Sequence, residues 1–446
     1  MKDWQMDSKK VLHRTSSLLQ NKSFTDVTFI VGPTTASKKY VGHKVLLAMT
    51  SPVFESMFYG DMADKAKVIR VADIAPIGFE NLLRYAYTDA LNLETVEDAM
   101  LTATAAKKYL LPHLLRECFN YIEKNVSHTT VCQVLEFALN LEAHHLVFQC
   151  LNIIDRQSYH VLTSSNFPQI SLTILETIVQ RKHLNIHTEI TLYNALFQWA
   201  QEEAKRRNIE PTIDNLRTVM DTTLPYIRFL AMTAEDFTKG PAKAGLLSKE
   251  ECFHIFMNLA VPGITSVPRG ICSATSRRTS PPEFYVCTRF KPVSFHTPIR
   301  PLRVFGVRFT VTNMDVFVVG LGISIRLDVG YYSAKKPSYD GLLRCTCKFP
   351  DERLAREELK VNFVLAKDKD VKIKFRKPLF ARKGVEYEID LQTRSAVAQD
   401  IVAPNNRSRK HEETAEGATF QFSAFKRGLQ NQMSEVMEFS EILFYY

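Results

Sequence analysis
The sequence predicts a multidomain chain built from an α+β domain, an all-α domain and an all-β sandwich domain, in that order. Three observations predict it. At 446 residues the chain is long for a single hydrophobic core. The apolar period changes along it, from mixed up to about Lys124, to helical between Val126 and Pro262, to alternating after Phe284. Between the last two regimes, Pro262, Gly263, Pro268, Gly270, Pro281 and Pro282 sit among Ser, Thr and Arg. The expected segments are an N-terminal piece at 1–23, a first domain at 24–125, a helical domain at 126–261, a linker at 262–282 and a β domain at 283–446.

Residues 1–20 are polar, with Val11, Leu12, Leu18 and Leu19 as apolar points. The apolar pairs lie seven apart, which predicts a short amphipathic helix. Val27 to Val31 and Lys39 to Val41 read as two strands around a polar loop with Gly32 and Pro33. The stretch Val41 to Phe58 organises this domain. Val45, Leu46 and Leu47, then Val53, Phe54, Met57 and Phe58, give two short helices an inward stripe. Ser51 can cap the second helix, and Pro52 suits its first position. His43 fits a buried, hydrogen-bonded structural role, with a ligand or base as the alternative. Lys67 to Val71 is a third strand, and Phe79, Leu82, Leu83 and Tyr87 follow a helical period over Ile77 to Thr88. Thr95 and Asp98 form a capping box before another helix, and Pro112 opens one more.

In the helical region Val131, Val134, Leu135, Ala138 and Leu141 make one stripe, and Leu192, Leu196 and Trp199 another. The charges from Glu202 to Arg207 read as a solvated face. His144 and His145 are adjacent on a helix and diverge, so one is expected packed and the other exposed. The segment 262–282 reads as an exposed linker. Arg277-Arg278-Thr279-Ser280 within it has the composition of a basophilic kinase site, beside the plainer reading as soluble linker. From Phe284 on, β-formers dominate, and Val371-Lys372-Ile373-Lys374-Phe375-Arg376 alternates cleanly between an apolar and a basic face. Asp351 to Glu358 and Gln399 to Glu416 read as charged loops.

Charge and cysteine usage exclude several function classes. Of the net charge of +9, residues 283–446 carry +7, with 27 basic and 20 acidic side chains. That surplus raises nucleic-acid binding as a reading. It counts against it that the excess is modest over this length and that the basic strand has no interleaved exposed aromatics. The eight Cys form no CxxC pair, and Cys345-x-Cys347 has no second pair at finger spacing, so no metal is expected. No secretory leader pattern opens the sequence, so the thiols are expected reduced, in the cytosol or nucleus. The longest apolar run, Val316 to Ile325, is too short to cross a bilayer as a helix, so no membrane is expected. There is no GxSxG elbow, P-loop or GxGxxG, and Gly320-Leu321-Gly322 inside a strand is a weak signal. No catalysis and no cofactor are expected.

Several blocks carry a resemblance. His43-Lys44, Val45-Leu46-Leu47-Ala48, Ser51-Pro52-Val53-Phe54 and Met57-Phe58 resemble the signature of a BTB/POZ domain. Phe24-Thr25-Asp26-Val27-Thr28-Phe29 resembles its first strand, and Asp73-Ile74 with Phe79, Leu82, Leu83, Tyr85 and Tyr87-Thr88 its third helix. Tyr193-Asn194-Ala195 with Trp199, and Ile227-Arg228-Phe229 followed by Met232, resemble a BACK domain. Phe237, Gly240-Pro241 and Gly245 are similar to a closing segment of one BTB–BACK subfamily. Arg308-Phe309-Thr310-Val311, Phe317 to Gly322 and Glu441 to Tyr446 resemble a PHR domain, a β-sandwich module, with a weaker middle.

The order resembles the cytoplasmic BTB–BACK–PHR proteins, which look like substrate adaptors of cullin-3 ubiquitin ligases. The resemblance implies a homodimer through Val11, Leu12, Leu18 and Leu19. It implies a cullin-3 seat at Phe58, Met62 and Asp64, extended by the BACK helices from Val131. There the family's hydrophobic-x-Glu element is matched by Met62-Ala63-Asp64, with an acid one methylene shorter. It further implies that the PHR region holds an unidentified target protein, with the two charged loops as candidates for recognition. A non-ligase dimeric scaffold or transcriptional co-regulator is the alternative.

Overall fold
The computed structural model describes residues 10–446 except 62, 64–65, 290–295, 300–303, 324–325, 328–337, 349–353, 365–370, 394–400, 405–410 and 424–436. It divides into two compact units, Met1–Ser280 and Pro281–Tyr446.

The first unit begins with helix α1 (Val11–Asn21). Strands β1 (Val27–Val31), β2 (Lys38–Gly42) and β3 (Val68–Val71) form a sheet in the order β2-β1-β3. β1 runs antiparallel to β2 and parallel to β3, pairing Val27 with Gly42 and Thr28 with Val68. The parallel pair needs a crossover, which α2 (Lys44–Thr50) and α3 (Pro52–Tyr59) supply. Val27, Phe29 and Val31 alternate into the core. Phe29 lies 5.9 Å from Phe54 and 5.0 Å from Phe79, and Phe54 stacks on Tyr109 at 4.2 Å.

The expected caps are present. Ser51 Oγ accepts from the Val53 and Phe54 amides at 3.2 and 3.3 Å, and donates to the Tyr109 carbonyl at 2.6 Å. α4 (Pro76–Thr88) is followed by α5 (Val96–Lys108), which Thr95 and Asp98 open as a capping box. These two helices approach closely at Gly78, where an added Cβ would stand 2.4 Å from the Leu101 carbonyl oxygen. Beside it, Asn81 donates to Thr102 Oγ1 at 3.0 Å. His43 is buried as a structural residue, held between Tyr87 and the Ser23 carbonyl.

Helices α6 (Pro112–Asn125), α7 (Val131–Asn140) and α8 (His144–Arg156) continue the unit. After them come α9 (Ser158–Leu162), α10 (Leu172–Val179), α11 (Glu189–Arg206), α12 (Ile213–Val219), α13 (Ala234–Phe237) and α14 (Lys249–Ala260). Trp199 is fully buried on α11 and donates its indole N–H to the Ile170 carbonyl at 2.8 Å. Gly240 lets the turn after α13 close on α11, since a Cβ there would meet Ile190 Cδ1 at 2.9 Å. His144 and His145 do not divide into packed and exposed. Both are half-buried, and His145 Nδ1 lies 2.9 Å from Glu123 Oε1 on α6.

The segment expected as an exposed linker forms no helix or strand, yet it is pinned twice. Asn258 Nδ2 donates to Thr265 Oγ1 at 2.8 Å, and its Oδ1 accepts from the Gly263 amide at 3.0 Å. Farther on, Arg278 is 5% exposed, not solvated.

The second unit is built of β-sheet. Its larger sheet joins β6 (Val304–Val311), β9 (Ser338–Lys348), β10 (Leu354–Val364), β12 (Glu386–Thr393), β14 (Glu412–Ala415) and β15 (Ala418–Ser423). Their order is β10-β9-β12-β6-β15-β14, and the short strand β16 (Met437–Glu438) also pairs with β6. A second sheet joins β4 (Tyr285–Thr288), β7 (Val316–Ile323), β11 (Val371–Ala381) and β17 (Glu441–Tyr445) in the order β11-β7-β17-β4. Phe420 of the larger sheet meets Phe444 of the smaller edge-on at 5.0 Å, among buried Phe309, Tyr387, Leu321 and Leu443. A small third sheet joins β5 (His296–Ile299), β13 (Ile401–Pro404) and β8 (Arg326–Leu327).

The glycine pair in β7 is a packing requirement. A Cβ at Gly320 would stand 2.4 Å from the Ile373 carbonyl oxygen, and one at Gly322 2.6 Å from Glu441 Oε2. The two charged stretches are not simply loops. Leu354 to Glu358 begin β10, while Ile401–Pro404 and Glu412–Ala415 are strands within Gln399 to Glu416.

Candidate functional site
Two surfaces of the first unit bear on the interaction residues. The first is formed by α1 and α2. α1 is docked by Thr15, whose Oγ1 lies 2.6 Å from the Tyr87 carbonyl on α4. Leu18 and Leu19 are half-buried and pack against the core of the domain. Val11 and Leu12 stay outside, 66% and 41% exposed. Val45 and Met49, one turn apart on α2, are exposed as well, at 64% and 77%. Val11, Leu12, Leu46, Met49, Tyr85 and Leu111 line a groove of about 630 Å³. The four residues expected at a dimer interface therefore divide into two that hold α1 to its own domain and two that are left for another surface. Val45, expected on the inward stripe of α2, faces outward instead, and Met49 was missed by the sequence reading. Their signal is the helical period itself, which turns residues 45 and 49 away from buried Leu47.

The second surface follows α3. Phe58 is 6% exposed and belongs to the core, with its ring 5.8 Å from Phe54 and Lys44 Nζ 5.5 Å from its centroid. Tyr59, the next residue, is 60% exposed and carries the apolar surface at this end. Gly60 ends the helix, and a Cβ there would meet the Ser56 carbonyl at 2.6 Å. The Ala63 amide donates to the Gly60 carbonyl at 3.0 Å and closes a turn. Met62 and Asp64 lie outside the described residues. In α7, Val131 is fully buried, whereas Gln133, Glu136, Leu139 and Asn140 are exposed. The face that α7 offers is therefore not the stripe seen in the sequence but its complement.

Burial pushes the Cys118 and Cys132 thiols up to about 12 and Cys150 in the same direction, which keeps them protonated and inert. Burial also pushes the Tyr87 hydroxyl up to about 12. Among the described residues no group of three or more His, Cys, Asp or Glu side chains could hold a metal ion. Among them, no helix is long and apolar enough to cross a membrane.

Residues 15–126 match the BTB/POZ domain, and residues 131–239 match the domain described as BTB And C-terminal Kelch, or BACK. The chain is 36% identical over 255 residues to BTB/POZ domain-containing protein 6 of Xenopus laevis, covering 57% of this chain and 48% of that protein. It is 35% identical over 322 residues to BTB/POZ domain-containing protein 6-B of Danio rerio, covering 72% and 65%. It is also 35% identical over 255 residues to BTB/POZ domain-containing protein 3 of Homo sapiens, covering 57% and 48%. The matched region spans about half the length of the first of these relatives.

Proposed function
Because the chain carries a BTB/POZ domain followed by a BACK domain, we propose that it is a non-catalytic adaptor of a cullin-3 ubiquitin ligase, acting in the cytoplasm as a homodimer. The observation that carries this reading is the exposed apolar strip of Val11, Leu12, Val45 and Met49 on a well-packed domain. An isolated domain gains nothing from keeping such a strip wet, and a second copy would cover it. In this reading the BTB/POZ domain spans 24–125 and the BACK domain 126–261. The cullin-3 seat in this reading is at the end of α3, with exposed Tyr59 and, by their place in the sequence, Met62 and Asp64 after it, while Phe58 supports the helix from within. The exposed face of α7 extends that seat.

The β unit is read as a PHR-type sandwich that recruits a target protein. The adaptor then acts by proximity. Holding the target beside the cullin-bound machinery raises its effective concentration there, so the chain itself needs no reactive group. Co-purification of tagged full-length protein from cells tests the proposal. Recovery of cullin-3 in a salt-stable complex is the expected result. A dimer that recovers no cullin-3 would instead favour the scaffold reading.

A further inference from the structure
Four acceptors converge on the guanidinium of Arg278. Its Nε donates to the Arg181 carbonyl at 3.1 Å, and its Nη2 to the Val179 and Tyr226 carbonyls, both at 2.9 Å. Its Nη1 donates to Glu189 Oε2 at 2.5 Å. The acceptors come from the end of α10 and the turn after it, the first residue of α11, and the turn before Ile227. None is near Arg278 in sequence. Glu189 also accepts from the Arg228 amide at 3.4 Å, and its place at the start of α11 suits a carboxylate. Burial pushes its carboxyl above the usual range, against the pull of the Arg278 charge.

The planar fork of an arginine meets this arrangement with donors in fixed directions; a lysine ammonium cannot reproduce it. The rest of the segment is held weakly. Residues 272–280 form no helix or strand, and Ser273, Thr275, Ser276, Arg277, Thr279 and Ser280 are exposed. Apart from Arg278, the hydrogen bonds described from residues 272–280 to the helices are solvent-facing. Arg228 Nη1 donates to the Ser276 carbonyl at 3.1 Å, and Thr279 Oγ1 lies 3.4 Å from His183 Nδ1.

We propose that the pocket formed by Glu189 and the Val179, Arg181 and Tyr226 carbonyls is a guanidinium-binding site, and that residues 272–280 are a strap closed by Arg278 as an exchangeable plug. When the strap leaves, an arginine side chain from another peptide can take the vacated place. With the plug seated, free chain leading to the second unit begins after Arg278; with the strap open it begins after Ile271, which is 8% exposed and packed. The plug thereby sets the length of that connection, and with it the reach of whatever the second unit carries.

Full-length Arg278→Ala tests this with three readouts. A broad-specificity protease should cut between residues 271 and 282 faster than in the unmodified protein, on the order of tenfold or more, while the helices stay intact. Millimolar guanidinium chloride should raise the melting midpoint of the variant above the effect of equal sodium chloride, and leave the unmodified protein unchanged. A labelled peptide of residues 272–282 should bind the variant, and the same peptide with alanine for arginine at 278 should not. Strap cleavage as slow as in the unmodified protein, or guanidinium acting no differently from sodium, overturns the proposal. If Arg278→Ala does not fold, Arg278→Lys keeps the charge and carries the test. Rapid strap cleavage on intact helices supports the proposal. Failure of both variants to fold overturns it, since the arginine would then be part of the core and not of a separable strap.

Discussion
His43 and Tyr87 satisfy each other inside the first domain. The His43 amide donates to the Tyr87 hydroxyl oxygen at 2.8 Å, and the same oxygen lies 2.7 Å from His43 Nδ1. His43 Nε2 is 2.7 Å from the Ser23 carbonyl, which can only accept, so Nε2 carries a proton. In the neutral ring Nδ1 then accepts from the Tyr87 hydroxyl. The pair thus ties the entry to α2, the end of α4 and the chain after α1 together. Tyr87→Phe would leave a buried amide and a ring nitrogen without partners. A loss of about 1–3 kcal/mol is expected, read as an earlier urea midpoint of the first unit. A midpoint unchanged from the unmodified protein would contradict the network.

The two halves of the α1 apolar set should separate by experiment. Leu12→Lys with Met49→Lys places charge on side chains that are 41% and 77% exposed. Light scattering should report a monomer at micromolar concentration with an unchanged fold. Leu18→Ala with Leu19→Ala instead removes contacts with the domain's own core, and should lower stability by roughly 1–4 kcal/mol. A dimer that persists in the first variant would place the self-association surface elsewhere.

Gly320→Ala should disrupt the β unit more than its one methyl suggests. The Cβ would stand 2.4 Å from a backbone oxygen of β11, which cannot yield as a side-chain tip can. Separation of β7 from β11 would expose Val318 and Leu321, so a loss of about 2 kcal/mol or more is expected, seen as a lower melting midpoint of the β unit alone. Alanine tolerated without such a change would contradict the close approach.

Much of the first unit was legible because its signals are local. Ser51-Pro52 and Thr95 to Asp98 are caps whose partners lie within three residues, and the strand at Val27 to Val31 shows its alternation directly. Long-range chemistry left no comparable trace. Arg278 meets Glu189 across 89 residues, and a Pro- and Ser-rich composition reads as solvent-exposed whatever one arginine does. The stretch from Leu354 was hidden by its charge density. Leu359, Val361 and Phe363 do alternate with Glu358, Lys360 and Asn362, but Arg356-Glu357-Glu358 before them masks the period. In the candidate site, Val11 and Leu12 were legible as surface, and Phe58 was legible as core from the inward stripe of α3, although the resemblance placed it at the cullin seat; its packing against Phe54 decides for the core.

The most direct test of the adaptor reading is the affinity of the full-length protein for cullin-3, measured by titration calorimetry beside a Met62→Ala, Asp64→Lys double variant. The account predicts binding by the unmodified protein and a loss on the order of tenfold or more in the variant, from lost apolar burial and a reversed charge. Dimer mass and melting midpoint should not change. Equal affinity in a folded variant, or no binding by the unmodified protein, would contradict it.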